Sequence, residues 1–150
     1  LFFILVIGLI QRVTRAQVSI NNQIISSIGH GIMALIGIEK TDTKQSADKL
    51  LHRILRYRIF ADTTGKMNLG LKNVNGDLLL IPQFTLHADT KKGLRPSFSN
   101  SAPPDLGREL FDYLVREAIA CHSKVETGSF AADKQVSLTN DGPVTFWLQV

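Results

Sequence analysis

An unbroken apolar run, LFFILVIGLI, opens the chain and then gives way to alternation. Ten residues are too few for a bilayer-spanning helix, which takes about 20. The basic flank and small-residue cleavage site of a signal peptide are missing around the run. Its β-branched and aromatic residues, Phe2, Ile4, Val6 and Ile7, suit a buried strand, and residues 4–13 are read as one. Val18 and Ile20 continue the alternation, Asn21-Asn22 supplies a turn, and Ile24, Ile25 and Ile28 resume it. IMALIGI (32–38) is almost wholly apolar, as in a strand covered on both faces, and is too short for a typical helix.

Asp42 and Gln45 have capping-box spacing. Behind them Ala47, Leu50, Leu51, Ile54 and Leu55 recur at helical intervals, while Lys44, Lys49, Arg53 and Arg56 fall largely on other faces. Those bases read either as a solvated face or as a nucleic-acid footprint. Asp62-Thr63-Thr64-Gly65 predicts a turn, and Met67, Leu69 and Leu71 alternate. Asn75-Gly76-Asp77 predicts a second turn, into the core strand Leu78-Leu79-Leu80-Ile81. Residues 87–100 are polar, basic and without a period, which predicts a surface loop. A second helix starts at Ser101-Ala102-Pro103-Pro104-Asp105, where prolines are tolerated and an acid is favoured. Leu106, Leu110, Phe111, Leu114, Val115 and Ala118 form its apolar face. Residues 125–130 are read as a connector turning at Gly128, and 135–139 and 144–150 as two closing strands. Two helices and many strands without regular βα alternation predict a sheet-rich, compact α+β fold with both helices on the sheet, in one domain over residues 1–150.

Apolar residues make up 44% of the 150, enough for a core and against general disorder. The 17 basic and 13 acidic residues leave a formal charge of +4, which suits a polyanionic partner without requiring one. The lone Cys121 excludes an intramolecular disulfide framework and points to a reducing compartment. His30, His52, His87 and His122 are scattered without zinc-ligand spacing, so no metal is expected. No phosphate loop, dinucleotide fingerprint or serine elbow occurs either.

Two breaks in strand-like sequence remain. Pro82-Gln83-Phe84-Thr85-Leu86 follows a core strand, and Pro82 cannot donate to a ladder. Gln83 can offer an amide to a bound carbonyl, and Thr85 a hydroxyl, although no neighbouring base can be assigned to activate it. Gly142-Pro143 separates the two closing strands. It reads as a plain hairpin, or as a rigid tip whose carbonyls face a ligand, since Pro has no N–H.

Taken together, IQRVTRAQV (10–18), RIF (58–60), KMNL (66–69), PQFTL (82–86), ADTKKGLRPSF (88–98), TGSFAADKQVSLTNDGPVTF (127–146) and the terminal WLQV resemble the D-aminoacyl-tRNA deacylase family. The match is collinear from about residue 7 to 150, and residues 1–5 read as an extension. The resemblance implies a homodimeric, cytoplasmic ester hydrolase with no cofactor, no metal and no membrane partner. Its substrate is the bond between a D-amino acid and the 3′-terminal adenosine of tRNA, with glycyl-tRNA also accepted. The sites lie at the dimer interface. A cis Gly-Pro pair, here Gly142-Pro143, enters the other subunit's site, captures the substrate's α-amino group through its carbonyls and leaves no room for an L side chain. Gln83, Phe84 and Thr85 take the positions of the catalytic motif. On charge, Lys91, Lys92 and Arg95 are the expected contacts to the tRNA acceptor end.

The family's motif begins Ser-Gln, whereas this chain has Pro82-Gln83, similar to animal relatives that deacylate L-alanine mischarged onto threonine tRNA. After the Gly-Pro pair, Val144-Thr145-Phe146 resembles the D-specific group and weighs more, because that motif carries the chiral gauge. The alternatives are thus an L-alanyl-tRNA deacylase and a non-catalytic RNA- or DNA-binding dimer. For the chemistry, the lack of a base beside Thr85 favours substrate assistance. The 2′-hydroxyl of the terminal ribose activates water or attacks, and backbone donors near Gln83–Leu86 face the oxyanion.

Overall fold

The computed structural model describes residues 6–129 and 133–150. Strand β1 (Ile7–Ile20) organises the sheet. On one edge it pairs antiparallel with β2 (Gln23–Ile28) and, nearer its start, with β3 (Gly31–Gly37). On the other edge β8 (Gln135–Gln149) pairs antiparallel with it along nearly its whole length. The short β4 (Phe60–Ala61) and β5 (Met67–Leu69) pair separately around the 62–65 turn. β6 (Asp77–Pro82) adds parallel to β3, and β7 (Val125–Thr127) parallel to β6. Parallel neighbours need long crossovers, and the two helices supply them. α1 (Lys44–Arg56) lies between β3 and β6 in sequence, and α2 (Pro104–Cys121) between β6 and β7.

Alternation sends Ile10, Ile32, Ile36, Leu78 and Leu80 into one core with Leu50, Ile54, Leu110 and Leu114 of the helices. A smaller cluster, Val13, Ala16, Val18, Ile28, Met33, Leu79 and Ile81, joins the remaining strand positions. β3 and β6 are therefore covered on both faces, which is why their sequences are nearly continuous apolar runs. Register also aligns Trp147, Leu9, Leu35 and Ile81 in a row across four strands. Leu9 and Leu35 in that row are half-buried, and Trp147 is 51% exposed.

Several expectations need correction. α1 is capped by Thr43 and Ser46, not by Asp42 and Gln45. Asp42 is buried and serves N–H groups outside the helix, those of Val6 (2.9 Å) and Glu39 (2.7 Å). Burial pushes its pKa up, against the lowering effect of those bonds. Residues 125–127 are a strand rather than part of a connector; three residues are too few to display a period. The apolar opening does lead into β1, with Val6 and Ile7 buried, but residues 1–5 lie outside the described residues.

The largest correction falls on the end of the chain. Gly142-Pro143 does not close a hairpin, because residues 135–139 and 145–149 continue in one direction along β1. Between the pairs Gln11↔Thr145 and Val13↔Asn140, the single residue Arg12 faces residues 141–144. The segment is a wide bulge in one strand. Asp-Gly-Pro punctuates a strand in the same way whether it ends the strand or interrupts it; only the partner strand tells the two apart.

Candidate functional site

The bulge is pinned at both ends. The Arg12 guanidinium, almost buried, donates from Nε to the Asp141 carbonyl (2.9 Å) and from Nη1 to the Ile59 carbonyl (2.7 Å). The Asp141 carboxylate lies 3.5 Å from the same Nε. At the base, Asn140 Oδ1 accepts the Val144 N–H (2.6 Å), and Asn140 Nδ2 donates to Thr145 Oγ1 (2.8 Å). Val144 is buried in the main core, while Gly142 and Pro143 are exposed at the crest. The peptide between those two is cis. Gly142 has φ +139°, and a Cβ there would lie 2.6 Å from Val144 Cγ2 and 3.1 Å from Arg12 Nη2. Only glycine fits. Among the described residues, no side chain donates to the carbonyls of Gly142 or Pro143.

The second motif lies where β6 leaves its ladder. The Gln83 N–H still reaches the Ile36 carbonyl (2.8 Å). Alternation turns the Pro82 nitrogen toward the β7 side, beyond Thr127 where β7 ends, so the proline removes no ladder bond. The chain then winds into a short 3₁₀ turn, Phe84–His87. The first turn leaves the N–H groups of Phe84 and Thr85 without an acceptor inside it. Gln83 Nε2 donates to Thr85 Oγ1, and no titratable side chain hydrogen-bonds that hydroxyl among the described residues. The nearby His87 is buried, with Nε2 2.9 Å from the Gly37 carbonyl.

Phe84 is 63% exposed and packs on Phe98 at 5.4 Å between ring centroids. Phe98 closes the expected surface loop, whose stem is a two-way pairing of Asp89 with Ser97 (2.7 and 3.0 Å). Lys91, Lys92 and Arg95 are all exposed on that loop, around Gly93 at φ +65°. The structure thus brings Gln83, Phe84 and Thr85 together with the basic segment.

It does not bring them to Gly142-Pro143. Arg12, opposite the bulge, pairs with Ile32, which pairs with Leu78. Gln83 is further along by 83 − 78 residues and lies three strand spacings away, through β1, β3 and β6. At about 3.3 Å per residue and 4.8 Å per strand, the two motifs are roughly 20 Å apart over the sheet of one chain. A concavity of about 780 Å³ lies at neither motif, between the C-terminal parts of α1 and α2. Each motif by itself stands on an open surface.

The family model for D-Tyr-tRNA(Tyr) deacylase matches residues 9–149. The chain belongs to this deacylase family. A Pseudomonas fluorescens protein named D-aminoacyl-tRNA deacylase is 58% identical over 142 residues, which is 95% of this chain and 98% of that protein. One of the same name from Cellvibrio japonicus is 56% identical over 144 residues, covering 96% and 99%. Among solved structures, the c-Myc DNA Unwinding Element Binding Protein has a TM-score of 0.92 at 32% identity, covering 96% of this chain and 98% of that one. A probable eukaryotic D-amino acid tRNA deacylase has a TM-score of 0.85 at 17% identity over 97% and 99%, a likeness of fold alone.

Within this deacylase fold, sequence reasoning overlooked two residues, Arg12 and Asn140. Arg12 sits inside a strand between apolar positions, where a guanidinium needs a buried purpose. Its partners, Ile59 and Asp141, are distant in sequence, so the purpose was invisible there. Asn140 carried a local signal, since Asn readily bonds nearby backbone beside a chain break.

Proposed function

We propose that the protein hydrolyses the ester bond of D-aminoacyl-tRNA, releasing the D-amino acid and tRNA, as a homodimer with its sites at the interface. The observation that carries the reading is the Gly142-Pro143 bulge, held from both ends by Arg12 and Asn140 in a member of this family. Three features support two copies. The motifs are far apart in one chain, the bulge and the 84–87 turn each stand exposed, and the partly exposed row of Trp147, Leu9 and Leu35 offers an apolar face to cover.

The crest of the bulge offers carbonyls, because Pro143 has no N–H. The α-amino group of the substrate donates to them, and an L side chain collides with the crest. Recognition at Cα leaves the side chain free, so many D-amino acids pass, and glycine passes with them. The chemistry is assisted by the substrate: the 2′-hydroxyl next to the ester activates water or attacks. The unpartnered N–H groups of Phe84 and Thr85 face the developing oxyanion, and Gln83 positions Thr85 beside it. Lys91, Lys92 and Arg95 meet phosphates of the acceptor end. No helix among the described residues is long and apolar enough to cross a membrane, and we place the enzyme in the cytoplasm.

Hydrolysis of D-Tyr-tRNA, L-Tyr-tRNA and L-Ala-tRNA by purified protein tests the proposal. D-Tyr-tRNA is expected to react and L-Tyr-tRNA to survive. A preference for L-Ala-tRNA would make Pro82 the decisive signal; tRNA binding without hydrolysis of any of the three would leave a nucleic-acid-binding dimer.

A further inference from the structure

The bases of α1 have so far no role. Lys49, Arg53 and Arg56 are spaced i, i+4 and i+7, which puts them on one stripe, and all three are exposed. The stripe is about 10 Å long. It runs into the concavity of about 780 Å³, which Arg56 lines together with Arg58, Lys72 and His52. Arg56, Arg58 and Lys72 are exposed, and none joins an ion pair among the described residues. Two carboxylates, Asp48 and Glu117, also line it, and Asp48 accepts the Tyr113 hydroxyl (2.8 Å); Arg56, Arg58 and Lys72 still outnumber them.

This basic track adjoins the bulge. The Ile59 carbonyl is held by the same Arg12 guanidinium that holds Asp141. The Tyr57 ring packs on Phe146, two residues beyond Val144, at 5.5 Å between centroids. Arg56 and Arg58 alternate with these two residues, so Tyr57 and Ile59 support the bulge while the arginines line the concavity. The loop with Lys91, Lys92 and Arg95 lies instead with the 84–87 turn, roughly 20 Å away over the sheet.

We infer that Lys49, Arg53, Arg56, Arg58 and Lys72 form a second phosphate-binding track, which takes the acceptor-stem backbone of the tRNA whose 3′ end reacts beneath this copy's bulge in the other copy's site. The inference rests on the interfacial deacylase reading above. One copy supplies the chiral gauge and grips the stem; the other supplies the reacting surface and the 91–95 loop. Exposed cations without an ion pair among the described residues, spread over a helix stripe and along a concavity, suit a polyanion backbone, whose contacts are numerous, sequence-independent and salt-sensitive.

The test uses Arg56→Ala/Arg58→Ala/Lys72→Ala in the full chain. Binding of deacylated tRNA is followed by fluorescence anisotropy across a salt series. In parallel, kcat/KM is measured on D-Tyr-tRNA and on the same amino acid esterified to a CCA trinucleotide. The salt slope of log K is expected to fall by about 2–3, and the kcat/KM ratio of tRNA to trinucleotide by about tenfold or more. Arg56→Lys/Arg58→Lys keeps the charge and is expected to keep the slope. Should the triple variant misfold, Lys72→Ala alone, on an exposed turn, is expected to lower the slope by about 0.7–0.9. An unchanged slope in a folded variant overturns the track, as does an equal loss on tRNA and trinucleotide. If the unsubstituted protein hydrolyses neither substrate, the deacylase reading falls, while the binding series still decides the track.

Discussion

The 141–144 bulge and the 84–87 turn are both places where a strand leaves its ladder, yet their exposed parts are held differently. Arg12 and Asn140 tie the bulge to β1, to Ile59 and to its own base, and Val144 roots it in the core. The turn is anchored at its start by the Gln83 N–H and at its end by the buried His87, whose Nε2 lies 2.9 Å from the Gly37 carbonyl, while its Phe84–Thr85 part is held lightly, by Ser101 Oγ donating to the Phe84 carbonyl (3.1 Å). Phe84 and the adjoining loop stand in solvent, with Leu94 fully exposed. A gauge that tells mirror images apart must not yield, because the difference it reads is the position of one substituent on Cα. A surface that receives one ribose ester with any D side chain needs fewer restraints. The contrast fits the proposed division, in which the bulge selects the stereochemistry and the turn orients the ester.

The contrast breaks most visibly if Gly142→Ala is tolerated. The added Cβ meets Val144 and Arg12 and must adopt a φ that side chains avoid. Activity on D-Tyr-tRNA is expected to fall by about 100-fold or more, since displacements near 1 Å can cost that much. Arg12→Ala should come next. It leaves the Ile59 and Asp141 carbonyls without their donor, for a stability loss of about 1–3 kcal/mol in chemical denaturation. L-Tyr-tRNA should begin to react as the crest loosens; a variant that stays as selective as the original would show that the brace does not set the gauge.

On the other side the effects should be smaller. Lys91→Ala/Lys92→Ala/Arg95→Ala is expected to weaken tRNA binding and lower its salt slope by about 2–3, with little change in the choice between D and L substrates. Thr85→Ala should cost least, within about tenfold in kcat, the scale of one neutral hydrogen bond. In the same single-turnover experiment, tRNA ending in 2′-deoxyadenosine should react very poorly. An inactive, folded Thr85→Ala protein that leaves normal turnover of the deoxy substrate by the parent would transfer the chemistry from the ribose to Thr85.

The strands and helices were legible because their apolar periods are long enough to count: IMALIGI, the α1 stripe from Ala47 to Leu55, and the α2 face from Leu106 to Ala118 all lie where expected. What escaped was set by partners distant in the chain. Asp42 looks like a cap until Val6 and Glu39 claim its carboxylate. Residues 125–127 become a strand only because β6 offers them an edge. Gly142-Pro143 becomes a bulge only because β1 pairs with both sides of it. The same reason hid Arg12, whose two acceptors lie 47 and 129 residues away. The two candidate motifs stand out in the sequence by their residues, but their separation on the sheet does not, and it is on that separation that the proposed second copy rests.

Complementation between two disabled variants tests that requirement most directly. Gly142→Val ruins the bulge and keeps the turn; Thr85→Trp fills the receiving surface and keeps the bulge. Each is purified, shown to be folded and measured alone, and the two are then unfolded together and refolded as a mixture. If the site joins the bulge of one copy to the turn of the other, random pairing restores about a quarter of all sites, and D-Tyr-tRNA hydrolysis returns to roughly that fraction of the parent. A mixture that forms mixed dimers and stays as inactive as its components would contradict a site shared between copies.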